Sequence, residues 1–232
     1  MIVMIVQSSS ARPISGMNQV SLMKKSALLM SFLMLGACAT EGGFDETGGV
    51  RVVRSACPAV AIPAHTGDVT LFSPANRRDV NAIDVVAVIS DLQSSCTQSG
   101  DRIQAVANFE VVGRRNNAQG AREVVLPYFA TVMRGGSQVL SKQIGQVALR
   151  FEDGQLLART SARADASISL AEATLPADIE ARINRKRSPG DADAAVDPLT
   201  EPDVRAAVAR ASFELLVGFQ LTNDQLAYNA TR

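Results

Sequence analysis

The sequence predicts an all-β protein, an antiparallel β-sandwich. Three observations carry that prediction. From about residue 51 onward the chain reads as seven or eight short runs in which apolar and polar side chains alternate with period two. Turn residues punctuate the runs, at residues 98–101 (QSGD), at Gly135-Gly136 and at Asp153-Gly154. The 232-residue chain is 47% hydrophobic but only 4% aromatic and has no Trp, so its core must rest on Val, Ile, Leu and Ala. Such side chains fit a pleated, half-buried surface.

The elements follow in chain order. "VRVVRSACP" (50–58) reads as a first strand stopped by Pro58, and "DVTLF" (68–72) as a short second one ahead of Ser73-Pro74. "AIDVVAVISDLQSSC" (82–96) is long and β-branched. In "RIQAVANFEVVG" (102–113), Ile103, Ala105, Ala107, Phe109 and Val111 fall on one face, and Arg102, Gln104, Asn108 and Glu110 on the other. "NNAQG" (116–120) is a loop. "REVVLPYFATVM" (122–133) is apolar on both faces, which predicts an inner strand, and its Pro127 predicts a bulge or an edge. "SQVLSKQIGQVALRF" (137–151) returns with a kink expected at Gly145, and Asp153-Gly154 predicts a hairpin into the alternating "LLARTSARADASISL" (156–170).

Beyond Thr174 the pattern changes. "LPADIEARINRKR" (175–187) reads as a short helix opened by Pro176 or as an extended edge excursion. Residues 188–203, rich in Pro, Gly, Asp and Ala, read as a surface loop. "VRAAVARA" is helix-compatible and "SFELLVGFQL" (212–221) resumes strand alternation. Thr222 and Gln225 stand at capping-box spacing ahead of a short terminal helix. The expected architecture is an immunoglobulin-like or fibronectin-III-like sandwich over residues 51–232 with one or two short helices. A small barrel is the alternative.

The N-terminus reads as a targeting segment. Lys24-Lys25 is followed by about 11 uncharged residues, too few for the ~20 that span a bilayer, and then by small residues. The tetrad Leu35-Gly36-Ala37-Cys38 resembles the lipobox of bacterial lipoproteins. That resemblance implies a signal peptide over 23–37, cleavage before Cys38, and acylation of Cys38 as a membrane anchor. Ala39 rather than Asp after the cysteine implies the outer membrane. Residues 40–49, Gly-rich and acidic, read as a flexible tether. Residues 1–22 precede an already complete signal and read as lying ahead of a translation start at Met23 or Met17, with a functional extension as the other reading. Three basic and no acidic residues precede Cys38, so the remainder has 20 basic and 23 acidic residues, a balance of −3. A strongly basic nucleic-acid binder is excluded as the default.

With Cys38 lipidated, Cys57 and Cys96 remain. In an oxidising envelope compartment an even pair reads as a disulfide, with two free buried thiols as the other reading. The phrases "CPAVAIPAHTGDVTLF", "SSCTQSG" and "LLVGFQLTNDQLAYN" resemble those of uncharacterised small envelope lipoproteins of alphaproteobacteria. That resemblance supports the lipoprotein reading and the Cys57–Cys96 pairing, and implies no catalytic residue.

Few residues invite a chemical role. His65 is the only histidine, set in "PAHTGD" with neither a nucleophile elbow nor metal-ligand spacing beside it. Arg77, Arg78 and Asp79 sit in an expected loop, either as a site for an anionic sugar or carboxylate or as a solvated local ion pair. The basic cluster Arg182, Arg185, Lys186 and Arg187 can face anionic headgroups, or be neutralised by the acidic stretch that follows. No phosphate-loop, dinucleotide, calcium or zinc fingerprint is present in the sequence, so no cofactor is expected. The expectation is a lipid-anchored, periplasm-facing, non-enzymatic protein that binds or scaffolds another envelope component. The alternative is a glycan or small-ligand binder or enzyme using the Arg77-Arg78-Asp79 loop.

Overall fold

A computed structural model describes residues 55–185, 187–188, 190–192 and 196–232. The signal segment, the lipobox, the tether and most of the first expected strand lie outside the described residues. Within them, Ser55 to Pro58 form no strand. Pairing begins at β1 (Ala59–Ala61), followed by β2 (Asp68–Phe72), β3 (Ile83–Ser99), β4 (Arg102–Arg115), β5 (Arg122–Arg134), β6 (Gln138–Phe151), β7 (Leu157–Ser169) and β8 (Phe213–Phe219). The strands form two four-stranded sheets, β1-β8-β5-β6 and β2-β3-β4-β7. Among the described strands only the β1–β8 pair is parallel. The expected sandwich is present, and its order differs from the A-B-E-D and C-F-G order of immunoglobulin constant domains.

The two sheets bury a single apolar layer. Val85, Val111, Leu149, Leu215 and Val217 are fully inaccessible, joined by Phe109, Phe151 and Phe219. The alternation read in β4 holds, because Ile103, Ala105, Ala107, Phe109 and Val111 all face this layer. Aliphatic side chains supply most of the layer, as the composition requires.

Pro127 sits where β8 ends. The β5–β8 ladder begins at Tyr128, so the half of β5 before it has β6 alone as its neighbour, and Pro127 needs no ladder donor there. The β5–β6 register runs unbroken through Gly145, so no bulge forms there. Gly145 lies opposite Tyr128, whose ring would be 2.4 Å from a Cβ at that position. The ring therefore packs flat over the glycine, meets Phe109 edge-on at 5.3 Å, and its hydroxyl donates to Arg163 O at 2.9 Å. Gly135 turns β5 into β6 with φ +59°, and a Cβ there would sit 3.0 Å from Ala209 O.

Asp153-Gly154 makes a turn but not the expected hairpin. Gly154 N donates to Ala118 O (2.8 Å) and the Asp153 carboxylate accepts from Gly120 N (2.6 Å). The turn is thereby docked on the 116–120 loop. The chain crosses to the other sheet, where β7 pairs with β4 from Arg102 to Arg114.

Four short helices are described rather than one or two: α1 (Leu170–Ala173), α2 (Ala177–Ile183), α3 (Pro202–Ala211) and α4 (Asn223–Thr231). The expected loop 188–203 ends in helix-start chemistry. Asp197 caps a 3-10 turn over Pro198–Thr200, and Pro202 opens α3. Ile179 of α2 and Val204 and Ala207 of α3 form a second, smaller core. The Thr222–Gln225 capping box is formed in full, and α4 lies against β2, with Phe72 and Tyr228 edge-on at 5.2 Å.

Candidate functional site

The disulfide is present. Cys57 and Cys96 are bonded, with Cα atoms 6.0 Å apart and 39 residues of separation. It fastens the chain's entry to the half of β3 that extends beyond β2.

The Arg77-Arg78-Asp79 loop is tied to itself and to its neighbours. Asp79 accepts from Arg77 Nε (2.8 Å) and from Asn81 N (3.1 Å), so its carboxylate caps the 3-10 turn Val80–Ala82. Arg78 donates to Ala75 O, stacks 4.8 Å over the Phe72 ring, and lies 4.0 Å from Asp224. His65 is exposed, with φ +64°. Its carbonyl accepts from the buried Asn229 Nδ2 at 2.9 Å, which pins the loop. Asp224 and Asn229 are five residues apart on α4, about 7–8 Å along its axis, so the arginine loop and His65 meet the helix at different points. Among the described residues no hydrogen bond or ion pair joins them.

In the basic cluster, Arg182 forms ion pairs with Glu201 and Asp203. These hydrogen bonds, to Asp203 first, raise the guanidinium further above its already high range and hold the Asp203 carboxyl below the usual carboxylate range. The partners lie just past the acidic stretch at 190–197. Arg187 donates to the Arg182 and Arg185 carbonyls at 3.4 Å. Lys186 and Cys38 lie outside the described residues. No cluster of metal-ligating side chains occurs among the described residues.

An apolar concavity lies elsewhere. On the outer face of the β2-β3-β4-β7 sheet, Ile83, Val86, Val88, Val112, Arg114 and Asn116, with Val80 of the neighbouring turn, line a groove of 420 Å³. Register builds it. Val88 lies opposite Val112 and Val86 opposite Arg114, so three valines share one outward face. Val88 is 43% and Val80 73% exposed. Leu157, opposite Arg114 on β7 and 58% exposed, continues the apolar surface.

The polar groups around this floor differ in commitment. Asn116 gives its side-chain amide to Ile83 O and its backbone N to Asp84 O (2.9 Å). Arg114 forms no ion pair or hydrogen bond among the described residues, though its neighbour Arg115 is fully committed. Arg115 is 1% exposed and donates to Gln155 O, Gly120 O, Ala118 O and Glu152 O at 2.7–2.8 Å, with Phe151 beneath it at 5.3 Å. Consecutive arginines thus face opposite sides of the sheet, one a buried structural clamp and one an exposed cation.

A second cleft of 320 Å³ separates β6 from β7, and both its arginines are paired: Arg150 with Glu123 at 2.7 Å and Arg159 with Glu110 at 3.4 Å. Sequence reading passed over the groove because its signal is a fault in the pattern. Val112 is apolar in the polar register of β4, and Val86 and Val88 fall on the outward face of β3. Compared with protein-family models, curated proteins and solved structures, the chain has no significant match.

Proposed function

We propose that this chain is a lipid-anchored, non-enzymatic protein of the cell envelope that binds another envelope component through the outer face of its β2-β3-β4-β7 sheet. The anchor is Cys38, and the location is the periplasmic side of the outer membrane. The observation that carries the binding role is the valine-floored groove, which the rest of the described chain leaves uncovered. The lipobox-like tetrad supports the anchor, and the Cys57–Cys96 bond suits an oxidising compartment. The internal pairing of Arg77, Asp79 and Arg182 favours structural roles for the loops that would otherwise suggest glycan chemistry.

Two measurements test this reading. Cys38→Ser should abolish metabolic palmitate labelling and move the protein out of the membrane fraction; unchanged partition would overturn the anchor. A photo-crosslinking residue at Val88 in intact cells should give an adduct that is absent when the probe replaces Thr97, on the same face far along β3. Equal adducts at both positions, or none at either, would overturn the binding surface.

A further inference from the structure

We infer that the groove holds the apolar chain of a single-chain anionic amphiphile, with Arg114 taking its carboxylate or phosphate headgroup. The inference rests on the groove being the binding surface and adds the class of ligand.

The floor selects against most polar ligands. It is made of the methyl groups of Ile83, Val86, Val88 and Val112, which offer no hydrogen bonds and no aromatic ring for a sugar or base to stack on. An extended peptide gains no main-chain pairing here. The backbone groups of β3 and β4 under the groove are spent on each other and on the flanking strands, and strand addition needs a free sheet edge. What remains is apolar burial, worth roughly 25 cal/mol per Å², plus a charged group at the groove that has no partner among the described residues.

That group is Arg114. Its guanidinium carries five N–H donors and a fixed charge, so an anion is its natural complement. Asn116, the other polar lining residue, has its amide on Ile83 O. Outside the groove, Glu110, two residues before Val112 and on the same face, is neutralised by Arg159. Arg114, opposite Val86, stands over the middle of the floor, with Val88 and Val112 to one side and Ile83 and Val80 to the other, so the groove offers one cation set in a bed of methyl groups, a complement to one headgroup and one apolar chain. Its 420 Å³ falls within the range of small-molecule sites, about 300–1,000 Å³. The concave floor, walled by Val80, suits a single chain rather than the flat face of a bilayer.

The test uses the full-length chain reconstituted in lipid nanodiscs, with diazirine-bearing dodecanoate and dodecyl phosphate as probes and the matching dodecanol as the neutral control. Labelling by both anions should map to residues 80–88 and 112–116, and exceed labelling by dodecanol about tenfold or more. Arg114→Glu should remove that preference, Arg114→Lys should retain most of it, and Val88→Asp should abolish labelling by all three. Preference for one anion over the other identifies the headgroup. Equal labelling by dodecanol, labelling elsewhere, or no effect of Arg114→Glu would overturn the inference, as would competition by anionic vesicles stronger than by free dodecanoate. Arg114 is exposed and without a partner among the described residues, so its variants report on binding even if Val88→Asp fails to fold. If the amphiphiles fail while the Val88 crosslink in cells persists, this inference falls and the binding surface stands; if both fail, both fall.

Discussion

At one end of the sandwich a buried guanidinium gathers four backbone carbonyls; toward the other a disulfide fastens the chain's entry to β3. Cys96 lies opposite Ala105 of β4, ten residues from Arg115, which places the two devices about 33 Å apart along one strand. Both draw irregular segments onto the sheets, but by different physics. Arg115 acts on the folded state, satisfying the carbonyls of the 116–120 and 152–156 loops in a site closed to water. The disulfide acts largely on the unfolded chain, by shortening a loop of about 40 residues. One end should therefore be indifferent to redox conditions, and the other should depend on them.

The largest expected effect breaks the arginine end. Arg115→Met should cost about 3 kcal/mol or more in urea unfolding, equally with and without reductant, because four carbonyls lose their donor and each buried acceptor left unsatisfied costs about 1–3 kcal/mol. Arg115→Lys should recover less than half, since an ammonium cannot reproduce the guanidinium fork. Next, Cys57→Ser should lower stability by about 2–4 kcal/mol. Reducing the wild type should do the same, while reduction of the variant changes nothing. Wild-type melting that is identical with and without reductant would count against a stabilising disulfide. Hydrogen exchange should then rise around Cys96 while the amides near Arg115 stay protected.

Two smaller effects sharpen the contrast. Thr222→Ala removes the cap of α4 and should cost about 1 kcal/mol. A loss matching that of Arg115→Met would show that the two ends are not the main fasteners. Asp84→Asn cuts the bidentate pair with Arg122 (2.6 and 2.7 Å), which joins the sheets beside Arg115. The Arg122 hydrogen bonds hold the Asp84 carboxyl below its ordinary range. Its contribution is therefore present above about pH 4, the unfolded carboxyl's own pKa, and is lost as pH falls through the lower folded value. Both side chains are partly exposed, so the expected cost is below about 1 kcal/mol. The gap between wild type and variant in acid titrations should close at low pH; a gap that widens would contradict this account.

The disulfide end was legible because cysteine counting is local and combinatorial: three thiols, one assigned to the anchor, leave a single pairing. The strands were legible for a similar reason, since period-two alternation in β4, β7 and β8 is written into consecutive residues. Arg115 was not legible. In "GRRNN" it is one of two adjacent arginines, and only the crossing of β7 to the other sheet brings Gln155 and Glu152 to it. The same crossing defeated the Asp153-Gly154 hairpin expectation. Turn chemistry fixes the local bend, but which strand pairs with which is decided by core area far away in the chain. The groove was half legible, as valines on the polar face, whereas the absence of a partner for Arg114 among the described residues belongs to the structure alone.

The position of Cys57 also decides how the domain carries mechanical load. A pull on the chain ahead of Ser55 reaches Cys57 before it reaches β1 or β2, and the sulfur bridge passes it to Cys96 in the long β3–β4 ladder. β1 contributes three residues and β2 five, so either could be peeled away cheaply if the force ran through them in series. While the bridge is intact, tension shunts past both. Reduction would reroute the same pull through the weakest ladders first, so the bond sets which part of the domain yields under force.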